Sequence, residues 1–155
     1  MSLEARYVHT NLVARDWRKL AHFYREVFGC TPVPPERDFH GGPLEALTNI
    51  PGARLRGMHL RLPGHGDRGP TLEIFEYAPG RKKAAPALNR QGYGHIAFAV
   101  ADVASAREAV LEAGGRALGR IITLALGDEA TITVCYMTDP EGNIVELQTW
   151  SPPGP

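Results

Sequence analysis

Two histidines and two glutamates stand at matching places in the two halves of the chain. His9 and His95 each lie in a strand-like segment, and each is followed at the same offset by an aspartate. Glu73 and Glu146 each lie in the middle of an apolar segment near the end of their half. Imidazole nitrogens and carboxylate oxygens together suit a divalent metal ion of borderline hardness. The repeat therefore predicts one metal ion held between two copies of one module.

The two glutamates carry most of this argument. A histidine in a strand is usually an ordinary polar residue, but a carboxylate in an apolar strand costs several kcal/mol unless it is paired or binds a metal. Leu72-Glu73-Ile74 and Val145-Glu146-Leu147 both pose that problem, at equivalent places. Two carboxylates favour nickel, cobalt, manganese, iron or zinc over copper, and they do not select among these five.

The same order of elements is predicted to position these residues in both halves. Residues 7–13 and 93–100 alternate in polarity like strands. Asp16 and Asp102 are the predicted N-caps of the helices that follow, because a carboxylate can accept hydrogen bonds from the amides of a first helical turn. Each helix is predicted from apolar residues that recur at helical spacing. Gly29 ends the first helix and the pair Gly114-Gly115 ends the second.

Further strands are predicted after each helix, at residues 57–62 and 71–77 in the first half and at 120–126, 130–137 and 143–150 in the second. The first half needs one more strand, and the place for it is occupied by Pro32, Pro34 and Pro35. Proline cannot donate to a sheet ladder, so this segment is predicted to be irregular or an edge strand. A short helix is expected over residues 44–50.

These elements predict an α+β fold made of two tandem βαβββ modules. The modules are expected at residues 5–78 and 92–150, joined by a linker at 79–91, in a single domain of residues 5–150. If each sheet curls, its first and last strands can lie side by side. The modules then form an open, curled mixed sheet around a central metal site.

The composition of the chain indicates which classes of binding partner to expect. The chain has 155 residues and a formal net charge of zero, which argues against nucleic acid or an anionic membrane surface as a partner. No apolar run approaches the roughly 20 residues that span a bilayer, and no export signal is evident. Cys30 and Cys135 are expected to be free thiols in the reducing cytoplasm.

Two motifs resemble a known family. The segments Gly94-His-Ile-Ala-Phe-Ala-Val-Ala-Asp-Val103 and Asp139-Pro-Glu-Gly-Asn-Ile-Val-Glu-Leu147 are similar to those of the vicinal oxygen chelate superfamily, the glyoxalase, bleomycin-resistance and extradiol-dioxygenase group. Residues 17–29 resemble the first helix of that family. The resemblance implies two βαβββ modules around a divalent metal. It places the ligands at His9, Glu73, His95 and Glu146.

The resemblance is closest to the four-ligand members, such as glyoxalase I and methylmalonyl-CoA epimerase. It implies an isomerase, epimerase or lyase that acts by enolate stabilisation on a small oxo-acid, thiohemiacetal or acyl thioester. Glu146 is expected to be the catalytic base and Glu73 its counterpart. A Thr-X-Asn-Trp-like stretch follows the metal glutamate of glyoxalase I, whereas this chain has Ile74-Phe-Glu-Tyr77, which weakens that particular assignment.

Two other functions stay open. An extradiol-type dioxygenase uses two histidines and one carboxylate, so a fourth donor at Glu73 counts against it. An antibiotic-sequestering protein generally lacks a complete set of ligands. The partner is expected to be a small molecule, and the chain is expected to form a homodimer with the metal site inside one chain or across two. His40 and His59 are expected to be ordinary residues, and Glu76 is excluded because it falls on the other strand face from Glu73.

Overall fold

The structure, a computed structural model, describes residues 3–153. Its elements are β1 (His9–Val13), α1 (Trp17–Phe28), β2 (Thr31–His40), α2 (Gly42–Thr48), β3 (Arg54–Arg61), β4 (Thr71–Ala78), β5 (Ile96–Ala99), α3 (Val103–Glu112), β6 (Arg116–Ala117), β7 (Ile122–Leu126), β8 (Ala130–Thr138) and β9 (Ile144–Ser151). The fold is mixed α+β, with two sheets and few helices, as predicted.

The chain divides into two compact units, one ending at Lys82 and the other beginning at Lys83. In the first unit the strand order is β1-β4-β3-β2, and in the second it is β5-β9-β8-β6, with β7 also paired to β8. The first and last strands are parallel neighbours in both units, and the other pairings are antiparallel. The predicted contact between the first and last strands is therefore confirmed in each unit.

The helix boundaries follow from the predicted caps. The Asp16 carboxylate accepts a hydrogen bond from the Lys19 amide at 3.1 Å, and Gly29 adopts a φ of +68° just after α1. The Asp102 carboxylate accepts from the Ser105 amide at 2.7 Å at the start of α3. Within residues 3–153, none of the helices is long and apolar enough to cross a membrane.

A helix packs against one face of each sheet. In the first unit α1 lies on β3 and β4, and in the second α3 lies on β8 and β9. The side chains that are almost fully buried in these layers are Leu20, Tyr24, Leu60, Leu72 and Ile74 in the first unit and Val110, Met137, Val145 and Leu147 in the second. Since side chains alternate along a strand, the residues between these point to the opposite face of each sheet.

The proline-rich segment forms a strand after all. β2 is an edge strand that pairs only with β3, and its register shifts between Val33 and Arg37. The missing amide donors of Pro34 and Pro35 fall within that irregular stretch, which an edge strand tolerates. The prediction of an irregular or edge segment is confirmed.

Several strand boundaries differ from the predictions, including that of β3, which was expected at residues 57–62 and spans Arg54–Arg61. β1 begins at His9 and β5 at Ile96, so both are shorter than expected, and His95 lies immediately before its strand. The second-unit strand predicted from residue 120 begins at Ile122, and the two-residue β6 precedes it. β6 and β7 pair with successive parts of β8, much as the two parts of β2 pair with β3.

Both cysteines are buried and free, as expected. Burial raises the pKa of the Cys30 thiol to about 11 and also raises the pKa of Cys135. Since the thiolate is the reactive form, neither side chain is prepared for nucleophilic chemistry.

At Gly57 the backbone of β3 lies close to β4. A Cβ atom there would lie 2.0 Å from the carbonyl oxygen of Ile74 and 2.5 Å from the ring of Phe75. Real Cβ atoms do not approach a backbone oxygen so closely, so any side chain at this position forces the two strands apart.

We predict that Gly57→Ala destabilises the protein by about 1–3 kcal/mol, because the added methyl group overpacks the contact between β3 and β4. Gly42→Ala is the matched control, since a Cβ there meets nothing within 4 Å. Urea unfolding monitored by circular dichroism would measure both. Equal midpoints for Gly57→Ala and the wild type would contradict the close approach.

Candidate metal centre

Glu73 lies on the sheet face away from α1. Its neighbours in the chain, Leu72 and Ile74, are buried on the helix side of β4. The Glu73 side chain therefore points to the other face, between Thr71 and Phe75, and it is only 12% exposed. A carboxylate this buried needs partners, and the neighbouring strands supply them.

Two histidines surround the Glu73 carboxylate. His9 Nε2 on β1 lies 3.8 Å from Glu73 Oε1, and His59 Nε2 on β3 lies 2.8 Å from Glu73 Oε2. One potential ligand atom from each of these three residues lies within 4.8 Å of the other two. The two imidazole rings meet edge to face with their centroids 5.5 Å apart.

Further hydrogen bonds fix the orientation of this group. Asn11 Nδ2 donates to Glu73 Oε1 at 2.9 Å, and Asn11 is the register partner of Glu73 on β1. His59 Nδ1 lies 3.1 Å from Thr71 Oγ1. Burial lowers the pKa of His59, and the charge of Glu73 offsets only part of that effect. The neutral imidazole is therefore the favoured form near neutral pH.

The second unit contains a corresponding pair. His95 Nε2 lies 3.1 Å from Glu146 Oε2, and the Glu146 side chain is 12% exposed. Tyr136 is the register partner of Glu146 on β8, and its ring meets the His95 ring edge to face at 5.2 Å. Burial raises the pKa of Tyr136, and the hydrogen bond and negative charge of Glu146 add to the rise.

The registers of the two sheets make these residues equivalent one by one. On the antiparallel side, His59 is paired with Glu73 and Tyr136 with Glu146. On the parallel side, Asn11 is paired with Glu73 and Ala97 with Glu146. His9 stands two residues before Asn11, and His95 two residues before Ala97, so each histidine occupies the same place beside its glutamate.

The structure brings the predicted residues together in two pairs, His9 with Glu73 and His95 with Glu146, each within its own unit. Glu76 lies on the other face of β4 in an ion pair with Arg56 at 2.7 Å, as its exclusion anticipated. His40 is exposed on β2.

Sequence reasoning missed His59. It was expected to be an ordinary strand residue, yet its ring contacts Glu73. The histidines and glutamates of the repeat match in type only in the first and last strands of each half. Histidine and tyrosine differ in type at the equivalent position of the third strand, so matching residue types could not find the pair. The register of β3 with β4 is the signal that identifies His59, because it pairs His59 with Glu73.

The donor set fits a divalent metal ion. Two ligands bonded to one ion at about 2.1 Å and at angles between octahedral and tetrahedral lie about 3.0–3.4 Å apart. The nitrogen-to-oxygen distance of 3.1 Å in the His95 pair already lies in that range, and the 3.8 Å distance in the His9 pair reaches it after a small side-chain movement. Nitrogen and oxygen donors without thiolate match nickel, cobalt, manganese, iron or zinc.

Comparison with known proteins identifies the family. The model of the glyoxalase/bleomycin resistance protein/dioxygenase superfamily matches residues 6–147, which is most of the chain. The chain belongs to this superfamily. No curated protein matches it at a significant level.

Solved structures of the glyoxalase superfamily share the fold. A glyoxalase family protein from Bacillus cereus is 16% identical with a TM-score of 0.71, covering 96% of this chain and 94% of its own. A Frankia sp. domain of the same superfamily is 19% identical with a TM-score of 0.59, covering 95% and 98%. The fosfomycin resistance protein FosX from Listeria monocytogenes, solved with Mn(II) and sulfate, is 15% identical with a TM-score of 0.50, covering 95% and 93%.

We predict that Glu146→Gln lowers the pKa of Tyr136 toward its ordinary value, because the substitution removes the negative charge beside the phenol. The tyrosinate absorbance at 295 nm, followed from pH 8 to 12 in the presence of a chelator, would show ionisation beginning at lower pH. Tyr136→Phe identifies which of the five tyrosine signals is involved. Unchanged titration of that signal in Glu146→Gln would contradict the contact.

Proposed function

We propose that this member of the glyoxalase superfamily is a metal-dependent isomerase, epimerase or lyase. Its substrate would be a small oxo-acid, thiohemiacetal or acyl thioester with an acidic carbon–hydrogen bond beside a carbonyl. One observation carries the proposal: each unit pairs an imidazole with a carboxylate that is only 12% exposed, at register-equivalent positions.

The proposed ligands are His9, Glu73, His95 and Glu146, with one divalent ion bound by all four. The four ligands can come from a single chain or from two copies of the chain, because both arrangements provide the same four residue types. Nickel, cobalt, manganese, iron and zinc all suit two imidazoles and two carboxylates. The Mn(II) in the FosX structure is consistent with that range.

The proposed chemistry is proton transfer next to a carbonyl group. A divalent ion bound there supplies Lewis-acid stabilisation of the negative charge that develops on substrate oxygen. We assign Glu146 as the base that accepts the proton from carbon and returns it to the neighbouring carbon or to the opposite face. Glu73 is the second proton-transfer residue if the reaction needs one on each face of the substrate. We assign Tyr136, the register partner of Glu146, to orient that carboxylate through its hydroxyl group.

An extradiol-type dioxygenase is the second candidate function. His9, His59 and Glu73 form a group of two imidazoles and one carboxylate, the donor set of non-haem iron(II) oxygenases. The second imidazole–carboxylate pair favours the isomerase, because a dioxygenase needs open metal positions for catechol and oxygen. A purely antibiotic-sequestering role is disfavoured by the same full set of donors.

We also propose a homodimer. Three apolar side chains of β7 are exposed, namely Ile122, Leu124 and Leu126, and Leu118 and Ile121 just before this strand are exposed as well. Among residues 3–153, β7 pairs with β8 and with no other strand, so its second edge offers backbone groups as well as apolar surface. A second copy of the chain would cover both.

We predict that the purified protein binds one divalent ion per proposed ligand set, and that His9→Ala, His95→Ala and Glu146→Gln each reduce the metal content at least tenfold. Removal of one ligand from a four-ligand site weakens binding strongly because the other donors cannot replace it. Elemental analysis of protein prepared without chelator would measure the change. His40→Ala is the matched control, since His40 is exposed outside the cluster. Equal metal content in all variants would contradict the site.

We predict that the metal-loaded protein incorporates solvent deuterium beside the carbonyl of a 2-oxo thiohemiacetal or an acyl-CoA thioester, without net oxidation. The carboxylate exchanges its proton with solvent between removal and return. Mass spectrometry of the recovered substrate would detect the label, and Glu146→Gln should abolish it. Oxygen consumption with a catechol, without deuterium exchange, would favour the dioxygenase instead.

A further inference from the structure

We propose that His59 and Asn11 are positioning residues that hold the two carboxylate oxygens of Glu73, one from each side, and so fix the direction in which this carboxylate faces a metal ion. The inference rests on the proposed function, in which Glu73 is a ligand. It adds two residues that act through Glu73 without contacting the ion.

The contacts divide between the two oxygens. Asn11 Nδ2 donates to Oε1 at 2.9 Å from β1, and His59 Nε2 lies 2.8 Å from Oε2 on β3. Both residues are register partners of Glu73, so the backbone ladder aligns them with it. Because the two donors act on different oxygens, they restrict rotation of the carboxylate as well as its position.

His59 is better placed to hold Glu73 than to bind a metal itself. Its Nε2 atom is within hydrogen-bond distance of Glu73, and its Nδ1 atom lies 3.1 Å from the Thr71 hydroxyl. Both ring nitrogens therefore have protein partners. His9 differs, because its Nε2 atom lies 3.8 Å from Glu73, beyond hydrogen-bond distance, and its side chain is 39% exposed. His9 can turn its nitrogen to an ion without breaking a hydrogen bond to Glu73.

The second unit lacks half of this arrangement. Tyr136 is the register partner of Glu146 on the strand equivalent to that of His59. The position equivalent to Asn11 is Ala97, whose methyl group cannot donate. Glu73 thus has, on each neighbouring strand, a contact that is not a proposed ligand, whereas the parallel-side contact of Glu146 comes from the proposed ligand His95, whose Nε2 atom lies 3.1 Å from Glu146 Oε2.

The test uses full-length protein with Cu²⁺ as a spectroscopic probe and Mn²⁺ as the binding probe. Pulsed electron paramagnetic resonance of bound Cu²⁺ counts the coordinated imidazoles, and calorimetry gives the Mn²⁺ dissociation constant. The variants are His59→Phe, which keeps a ring but removes the donor, His59→Gln, which keeps a donor, and Asn11→Ala. His40→Phe is the matched control on an exposed histidine.

We expect two imidazoles in the wild type and in every variant. The Mn²⁺ dissociation constant should rise about 10–100-fold in His59→Phe and Asn11→Ala, as for other residues that orient a metal ligand. His59→Gln should recover most of the affinity, and His40→Phe should match the wild type. Asn11 lies on the exposed β1, so its variant keeps the test valid if His59→Phe does not fold.

Three results would overturn the inference, and only the third would also overturn the proposed function. Loss of one imidazole in both His59 variants makes His59 a ligand. Unchanged affinity in His59→Phe and Asn11→Ala, with two imidazoles in the wild type, removes the positioning role and leaves the proposed function intact. A wild-type protein that binds neither ion overturns the proposed function as well.

Discussion

A carboxylate in the middle of a buried strand is the constraint on which the rest of the site depends. Glu73 and Glu146 each interrupt a strand whose neighbouring residues are packed against a helix, and each side chain is only 12% exposed. An unpaired carboxylate in such a place costs several kcal/mol. The chain places an imidazole beside each carboxylate, and imidazole nitrogen and carboxylate oxygen are both ligand types for divalent ions.

The sheet topology makes this arrangement possible. The strand that carries each glutamate lies between a parallel neighbour and an antiparallel neighbour. A side chain in this central position is flanked by one residue from each side in fixed register. In the first unit those residues are Asn11 and His59, and in the second they are Ala97 and Tyr136. The Asn11 amide and the His59 imidazole can both donate to Glu73, whereas the Ala97 methyl group cannot donate to Glu146.

Much of this could be predicted from the sequence because it depends on local signals. Asp16 and Asp102 mark the helix starts, and Gly29 marks a helix end, through chemistry confined to a single turn. The pairing of the first and last strands was expected on the condition that each sheet curls, and the structure has this pairing in both units. His59 could not be found in the same way, because its role depends on the cross-strand register with Glu73, and its equivalent in the other half is a tyrosine. The two-residue β6 was missed because so short a strand leaves no periodic signal.

X-ray absorption at the metal K-edge of protein loaded with Mn²⁺ tests the central claim most directly. The account predicts a shell of nitrogen and oxygen ligands at about 2.0–2.2 Å with the multiple scattering of two imidazoles, which falls to one in His95→Ala. A shell of oxygen atoms without imidazole scattering, or a sulfur shell at about 2.3 Å, would contradict it.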